Sequence, residues 1–427
     1  MTVLASGSEL TSSSSILASG YDGGFIMSLA SGTRVSLSYQ EELTTRGVPE
    51  AVVDMTALRA TGRNINPQIN TIRSQEVRSD RQVAALRHGF NQVVGSPGFE
   101  LSLVAYDDFI EAAMSGTWAA VATAASQTID VTISAPGKLV TFTRTAGDYL
   151  TDGFLPGMVV QATGLVLTGN DGLCFISSVT ALAMTCKWFP DGVAFQVEAG
   201  TGDEEITMTG KYVQIGTTLR TYTIERAFND VAQYQVFNGC AINQMSMNVQ
   251  PEQMVGGTFD ILGMSAAAMV TSPRDSTVTA AAANDPFSAF DGALFINGQV
   301  GSPSTPAAVI TGLSFSLNNN RTLEAVVGSK FSPDVFEGTA TITGEVTAFF
   351  EDENVFNLFI NETISSLFLK VDDLDGTNFM VISFPAIKYT GGDMDPPQQG
   401  PVPIRMPFEA QVDATHGHSF MVQRSNT

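Results

Sequence analysis

Residues 98–114 have the sequence GFELSLVAYDDFIEAAM, and this stretch decides which fold class we expect. Its first part alternates apolar and polar residues, which is typical of a half-buried strand. From Tyr106 onward apolar side chains recur at helical spacing, and Asp107 and Asp108 suit the amino end of a helix dipole. The stretch therefore predicts a strand over 99–104 that leads into a short helix over 106–114.

Residues 344–361, GEVTAFFEDENVFNLFIN, repeat this arrangement of a strand and a helix that opens with acidic residues. A second pair of segments repeats in the same order. Tyr234–Ile242 can be laid over Phe379–Ile387 without a gap, and at the same offset Pro251 falls on Pro396. Two correspondences in one order predict a single fold that is present twice.

Other segments also alternate apolar residues with Ser, Thr or Asn, which predicts half-buried antiparallel strands. The clearest are Arg34–Tyr39, Arg220–Glu225, Met245–Val249, Leu313–Leu317 and Thr339–Thr343. Helical spacing is scarce outside the two stretches above. The chain is therefore predicted to be mainly β, with one short helix in each copy.

The two copies are unequal, because the segment 122–212 of the first has no counterpart in the second. Its short strands, broken about every eight to ten residues by turn sequences, predict a small inserted β-barrel or sandwich. The expected organisation is an N-terminal arm over 1–32, a first copy over 33–121 and 213–265 around the insert, a linker over 266–285, and a second copy over 286–427.

Charge limits the partners that the chain can bind. The 427 residues have a net charge of −22, and only 15% are charged, against about 25% in an average soluble domain. So acidic a surface repels nucleic acid, which argues against specific DNA or RNA binding but allows DNA that slides past. The low charged fraction also favours a surface that is buried against other copies of the chain.

Neither a signal peptide nor a membrane span is visible in the sequence, so we expect synthesis in a cytoplasm and no membrane partner. The three cysteines, Cys174, Cys186 and Cys240, are too few and too sparse for a disulfide framework. They are expected to be small buried hydrophobic residues. A Cys174–Cys186 bridge stays open as an alternative.

The sequence contains no convincing catalytic, metal or cofactor site. Its three histidines are not accompanied by a nucleophile motif, and there is no phosphate-binding loop. His416 and His418 could chelate a metal with Asp413, but a solvated tail is the preferred interpretation. The aspartates of Asp372–Gly376 lack the downstream glutamate of a calcium loop, so a hairpin turn explains them better. We expect a protein that is not an enzyme and needs no cofactor.

One cluster of positive charge stands out against the acidic background. It comprises Arg59, Arg63, Arg73, Arg78, Arg81 and Arg87. One interpretation is a solvated loop in which Glu76 and Asp80 balance the charge. The other is a basic loop, built on Arg73, Arg78, Arg81 and Arg87, that docks on an acidic surface of the next copy along a stack, since arginine pairs with carboxylates bidentately. The corresponding stretch of the second copy, Ser329–Phe336, is shorter and not basic.

Several segments, taken in order, resemble the tail tube proteins of siphophages, the bacteriophages with long non-contractile tails. They are Thr33–Tyr39, Leu58–Gly62, Ser74–Gln82, Phe99–Ala113, Tyr222–Phe228, Gly239–Asn243, Phe349–Asp352 and Lys388–Gly392. The resemblance spans residues 33 to about 424 and includes the insert. It implies a β-sandwich flanked by a helix, with sheets that join around a ring, and it offers no active-site residues.

The resemblance also implies partners and a location. Members that carry the fold twice can build a pseudo-sixfold ring from three chains, so a trimer is favoured and a hexamer stays open. The implied partners are further copies, the tape measure protein, the tail terminator and the distal tail proteins. The implied location is the virion tail, assembled in the host cytoplasm, with genomic DNA passing through an acidic lumen.

Two other functions remain open. One is a different virion β-protein, such as a decoration or capsid-associated protein. The other is a carbohydrate-binding or hydrolysing module that uses Tyr149, Trp188 and Phe189 of the insert as an aromatic platform, although the core of the insert is the preferred role for those residues. The insert itself is expected to decorate the outside of a tube.

Overall fold

The computed structural model describes residues 29–119, 122–134, 139–188, 196–297, 310–350, 353–373, 378–414 and 417–426. Within these ranges the protein is mainly β with two short α-helices, as predicted, and the strand-to-strand ladders are antiparallel. Most of the predicted N-terminal arm, residues 1–28, lies outside the described residues.

The first part of the chain supplies five strands and a helix. They are β1 (Val35–Glu41), β2 (Thr56–Leu58), β3 (Ile65–Arg73), β4 (Leu86–Gly95), β5 (Gly98–Glu100) and α1 (Asp107–Met114). The helix is confirmed and begins one residue after the predicted start. The predicted strand over 99–104 is too long, because the chain turns after Glu100 and Val104 has a φ of 66°.

The next part forms a separate sheet, here called the insert sheet. Its strands are β6 (Thr123–Gln127), β7 (Ile129–Ser134), β8 (Leu139–Arg144), β9 (Val159–Thr163), β10 (Gly172–Val179), β11 (Ala183–Trp188) and β12 (Glu204–Met208). Among the described residues they pair in the order β6-β12-β9-β10-β11-β8-β7. Phe142, Tyr149 and Phe154 are fully buried in a core of its own. Whether a domain boundary falls at 122–212 stays a prediction.

The chain then returns to the main sheets. The strands here are β13 (Lys211–Gln214), β14 (Tyr222–Phe228), β15 (Gln233–Val249), β16 (Gly256–Gly263), β17 (Ser265–Ala266) and β18 (Gly292–Asn297). β14, β15 and β16 pair consecutively and are called the first ladder.

The last part contains the remaining elements. They are β19 (Ile310–Asn318), β20 (Thr322–Leu323), β21 (Val335–Phe336), β22 (Thr341–Phe349), α2 (Glu353–Ile360), β23 (Ser365–Asp372), β24 (Phe379–Tyr389), β25 (Asp393–Met394), β26 (Pro403–Ala410) and β27 (Met421–Arg424). β23, β24 and β26 pair consecutively and are called the second ladder. The second helix, which the sequence predicts over 353–361, is confirmed and ends one residue earlier, at Ile360.

Both ladders have an irregularity at the same place, where the middle strand has one extra residue opposite the first strand. The pairs on either side of it are Tyr222 with Cys240 and Ile224 with Phe237 in the first ladder, and Ser365 with Ile387 and Leu367 with Phe384 in the second. Phe237 therefore corresponds to Phe384. This is two residues further along than in the overlay of the sequences, in which Phe237 falls on Ile382.

The two ladders are joined edge to edge, because the end of β15 pairs with β19. β19 continues through β22 to β26 of the second ladder. One apolar core lies beneath both ladders and includes the buried side chains of Phe109, Phe259, Phe315, Phe384 and Phe408.

The carboxyl-terminal strand ties distant parts of the chain together. β27 pairs with β13 on one side and with β24 on the other. The buried side chain of Gln423 accepts a hydrogen bond from the backbone N–H of Val159 and donates to the carbonyls of Val159 and Thr209 in the insert region. The insert sheet also packs on the second ladder, where the rings of Phe175 and Phe368 meet edge to face at 4.7 Å. The predicted solvated tail is therefore wrong for residues 417–426.

Candidate assembly surface

The side chains considered as candidates for metal binding, disulfide formation or carbohydrate binding lie in structural positions. Among the described residues, no group of three or more His, Cys, Asp or Glu side chains could hold a metal ion. His418 is buried in the carboxyl-terminal region, and His416 lies outside the described residues. The three cysteines are buried and free, as expected. Tyr149 is buried beneath the guanidinium of Arg144, so it is not part of an exposed aromatic platform.

The other members of that platform cannot be placed, since Phe189 and the side chain of Trp188 lie outside the described part of the chain. The expected hairpin turn at Asp372–Gly376 lies largely outside the described residues, but the strands on either side of it, β23 and β24, are paired, and the N–H of Asp373 donates to the carbonyl of Asn378. Within the described ranges, no helix is long and apolar enough to cross a membrane.

A long and largely exposed hairpin is formed by β3 and β4, and we call it the long hairpin (residues 65–95). The side chains of β3 are exposed from Asn66 to Arg73, those of β4 are exposed from Leu86 to His88, and residues 75–83 of the connecting loop are exposed as well. Apolar side chains are among them: Ile69, Ile72, Val77, Val83 and Leu86. An isolated two-stranded hairpin is marginally stable in water, and exposed apolar groups of this kind mark interaction sites.

The four predicted docking arginines all lie on the long hairpin. Arg73 ends β3, Arg87 lies at the start of β4, and Arg78 and Arg81 occupy the connecting loop. Arg78 is paired with Asp80 of the same loop at 2.9 Å in an exposed, bidentate arrangement. Within the described ranges, no ion pair forms at Arg73, Arg81 or Arg87, and all three residues are exposed to solvent.

The other two arginines of the cluster have different surroundings. Arg59 donates to the hydroxyl of Ser102 and to the carbonyls of Ala282 and Asn284, which fixes the predicted linker to the core. Arg63 precedes the long hairpin and reaches the carbonyl of Gly32 at 3.5 Å. Sequence reasoning grouped all six by charge, and the structure separates them by burial.

The second half of the chain has a short loop (residues 319–340) where the first has the long hairpin. It lies on the first ladder, with Val335 buried against Ala241 and Met264. The carboxylate of Asp334 pairs with Arg46 at 2.9 Å. The short loop is therefore docked within the chain, whereas the long hairpin projects.

One face of the joined sheet is covered by the core and the other is polar. On the polar face, Ser246 and Thr258 share a hydrogen bond of 2.8 Å between their hydroxyls. Around them the face presents Gln244, Asn248, Ser314, Ser316, Asn318, Thr343 and Thr347, with Asp260, Glu345 and Glu409 as acids and Arg405 as a base. The polar face thus carries few charges, most of them negative.

A buried ion pair secures α1. Arg424 contacts Asp107 at 2.7 Å, and the guanidinium lies over the Trp118 ring. Burial raises the pKa of the Asp107 carboxyl to about 6 even though Arg424 acts to lower it. The arrangement holds the first turn of α1 against the carboxyl-terminal strand.

Sequence reasoning missed the strand character of the long hairpin and the open edge at β25. The signal for the long hairpin is present, since Ile65, Pro67 and Ile69 alternate with polar residues. That pattern was overlooked because the arginines suggested a loop. Asp393 and Met394 of β25 are exposed, and nothing in their sequence distinguishes an edge strand from a turn.

Comparison with known proteins places this architecture. A search of curated proteins found no match. A model of the phage tail tube protein family matches residues 32–412, which include the long hairpin, the insert sheet and both ladders. The chain belongs to the phage tail tube protein family, whose members are structural components of the virion tail.

Proposed function

We propose that this chain polymerises as stacked rings into the tail tube of a siphophage and forms the channel through which the genome is delivered. The observation that carries the proposal is the pairing of β15 with β19 between two ladders of the same pattern. That pairing is one junction of a ring, already made within a single chain. Repetition of equivalent junctions between chains closes a ring by head-to-tail contacts.

The duplication sets the number of chains. If each ladder occupies one position of a pseudo-sixfold ring, three chains complete it. The matching irregularities of the two ladders support this assignment. In a hexamer each chain would occupy one position of the ring. The β15–β19 junction within the chain would then have no equivalent between chains.

The polar face is the proposed lining of the lumen. Hydroxyl and amide groups there offer DNA no cation to bind, and Asp260, Glu345 and Glu409 repel phosphates. Since few phosphate–cation contacts form, few counterions are released and little affinity results. The DNA can therefore slide through the channel, and before ejection the same space holds the tape measure protein.

Stacking of rings is assigned to the long hairpin. Its exposed apolar side chains would be buried when they pack on the next ring. Arg73, Arg78, Arg81 and Arg87 add positive charge, which is complementary to a neighbouring chain that is acidic overall. The tail terminator and the distal tail proteins would cap the two ends of the stack. The insert sheet is assigned to the outside of the tube, where it also covers Phe368 of the second ladder.

Electron microscopy of the purified, concentrated protein tests the function directly. Hollow tubes with three chains in each ring are the expected result. Tubes with six chains per ring would keep the tube and overturn the trimer. Closed shells, or an inert monomer at high concentration that also fails to form tubes on a tail-tip template, would overturn the tube itself.

A further inference from the structure

We infer that the ring closes where the free edge of β3 pairs with residues 391–396 of a second copy of this chain, in the register of the internal β15–β19 junction. This inference rests on the proposed function and specifies its partner surface. Each edge of the internal junction has an equivalent elsewhere in the chain.

The equivalent of β19 is β3. Each is the first strand of a hairpin that continues into the third strand of a ladder. The connected residues are Ile65, Gly95 and Ile261 in the first half and Phe315, Gly344 and Phe408 in the second. Ile65 of β3 therefore corresponds to Phe315 of β19. β19 pairs on both sides, whereas β3 has β4 as its sole strand partner among the described residues.

The equivalent of the paired end of β15 is β25 and its neighbours. Ser246 and Met247 pair with Thr258 and Gly257, as Asp393 and Met394 pair with Arg405 and Ile404. Met247 lies beside β19 in the sheet and is 3% exposed, whereas Met394 is 38% exposed. The second ladder thus has the same edge as the first, and no strand of the described part of the chain covers it.

The backbone hydrogen-bonding groups on the free edge of β3 point in the direction that this pairing requires. The carbonyl of Asn64 accepts from the N–H of Ser96 on the β4 side, so the next carbonyl, that of Ile65, points to the free edge. The internal junction uses the same alternation, since the N–H of Asn319 donates to the carbonyl of Asn243. In the isolated chain, the guanidinium of Arg226 donates a hydrogen bond to the Ile65 carbonyl at 2.7 Å and so occupies the free edge of β3. In the second ladder, the apolar Leu369 takes the place of Arg226.

The internal register fixes the pairs between chains. It places Ile65 opposite Met394, Asn66 opposite Asp393, Pro67 opposite Gly392 and Arg63 opposite Pro396. A proline lacks the N–H of a ladder, and in this register each of the two prolines lies at an end of the paired window. A slip of two residues that brings Pro67 opposite Met394 would place both prolines inside it. The carboxylates of Asp393 and Asp395 also bring negative charge to an edge that carries Arg63 and Arg226.

Disulfide trapping in assembled tubes tests the register. The pair Asn66→Cys with Asp393→Cys should form a bond between chains, because directly opposed residues meet the Cα separation that a disulfide needs. Ser246→Cys with Ser316→Cys is the matched control within the chain. Asn66→Cys with Asp395→Cys is the control shifted by two residues. The native cysteines are buried and give no background.

Loss of the monomer band to covalent trimers with Asn66→Cys and Asp393→Cys, and its persistence with the shifted pair, would support the register. Tubes that cross-link no better with the predicted pair than with the shifted pair would overturn it and leave the proposed function standing. If the double variants do not assemble, the strands resolved in a reconstruction of the wild-type tube decide the register. Failure of the wild-type protein to form any tube would overturn the proposed function itself.

Discussion

The long hairpin and the short loop occupy equivalent places between equivalent strands, and they behave in opposite ways. The short loop is docked, with Val335 buried and Asp334 paired to Arg46. The long hairpin exposes Ile72 and Leu86 and leaves three of its arginines without an ion pair among the described residues. The comparison indicates that the short loop is packed within the chain, whereas the long hairpin is left exposed for contact with a neighbouring copy.

Charge reversal on the long hairpin should have the largest effect, a loss of tube assembly. Arg78→Glu combined with Arg81→Glu is expected to give folded protein that forms no tubes, because both side chains are exposed and fold stability does not depend on them. Lys330→Glu in the short loop is the control and should assemble. Circular dichroism would establish folding and electron microscopy assembly. Normal tubes from the double variant would remove the docking role of these arginines.

The two helices should differ in their contribution to stability. Phe109 of α1 is fully buried and packs on Tyr39 and Tyr222, whereas Phe359 of α2 is half-buried. Phe109→Ala should lower the free energy of unfolding by about 3–5 kcal/mol, as is usual for a buried phenylalanine. Phe359→Ala should cost clearly less. Denaturant unfolding of the unassembled chain measures both, and equal losses would contradict the unequal burial of the helices.

The pH dependence of stability should distinguish the two helix starts as well. The pKa of the Asp107 carboxyl is raised to about 6 by burial, so the folded chain holds this proton more tightly than the unfolded chain. The stabilisation is complete below about pH 4 and is lost as the pH rises through 6. Relative to Asp107→Asn, the wild type should lose at most about 3 kcal/mol between these limits.

Unfolding of both proteins at a series of pH values provides this measurement. A difference that grows in favour of the wild type toward pH 7 would show that the attraction of Arg424 outweighs the burial of the carboxyl. Glu353 at the start of α2 is exposed, and Glu353→Gln serves as the control, with no such dependence expected.

The smallest effect concerns single valines in the two connections. Val335→Ala removes buried methyl groups from the contact with Met264 and should cost about 2 kcal/mol. Val83→Ala on the exposed long hairpin should leave the unfolding of the isolated chain unchanged. If tubes protect the hairpin, Val83→Ala should instead weaken tubes toward dissociation by denaturant. Equal unfolding midpoints for the two variants before assembly would show that the short loop is not docked.

Much of the fold was predictable because burial on one face leaves a period in the sequence. Both helices were placed to within one residue at each end, and the half-buried strands β1, β19 and β22 were recognised by their alternation. β27 was not, because all four residues from Met421 to Arg424 are buried and no alternation marks them. The long hairpin does have an alternation, at Ile65, Pro67 and Ile69, but the arginines that follow it favoured a loop.

The candidate surface was predictable only in part. The arginines identified the long hairpin, because charge is visible in composition. The edges at Ile65 and Met394 depend on which strands remain unpaired, and that is a property of topology. The equivalence of the two halves appeared in the sequence, but the correct offset required the pairing of the strands.

The position of β27 has a consequence for the order of events during synthesis. Both of its neighbours, β13 and β24, are synthesised before it, and Met421–Arg424 fill the gap between them. A nascent chain therefore cannot join β13 to β24 through β27 until Met421–Arg424 have left the ribosome. We expect this delay to keep growing chains on one messenger RNA from joining each other before residues 421–424 are in place.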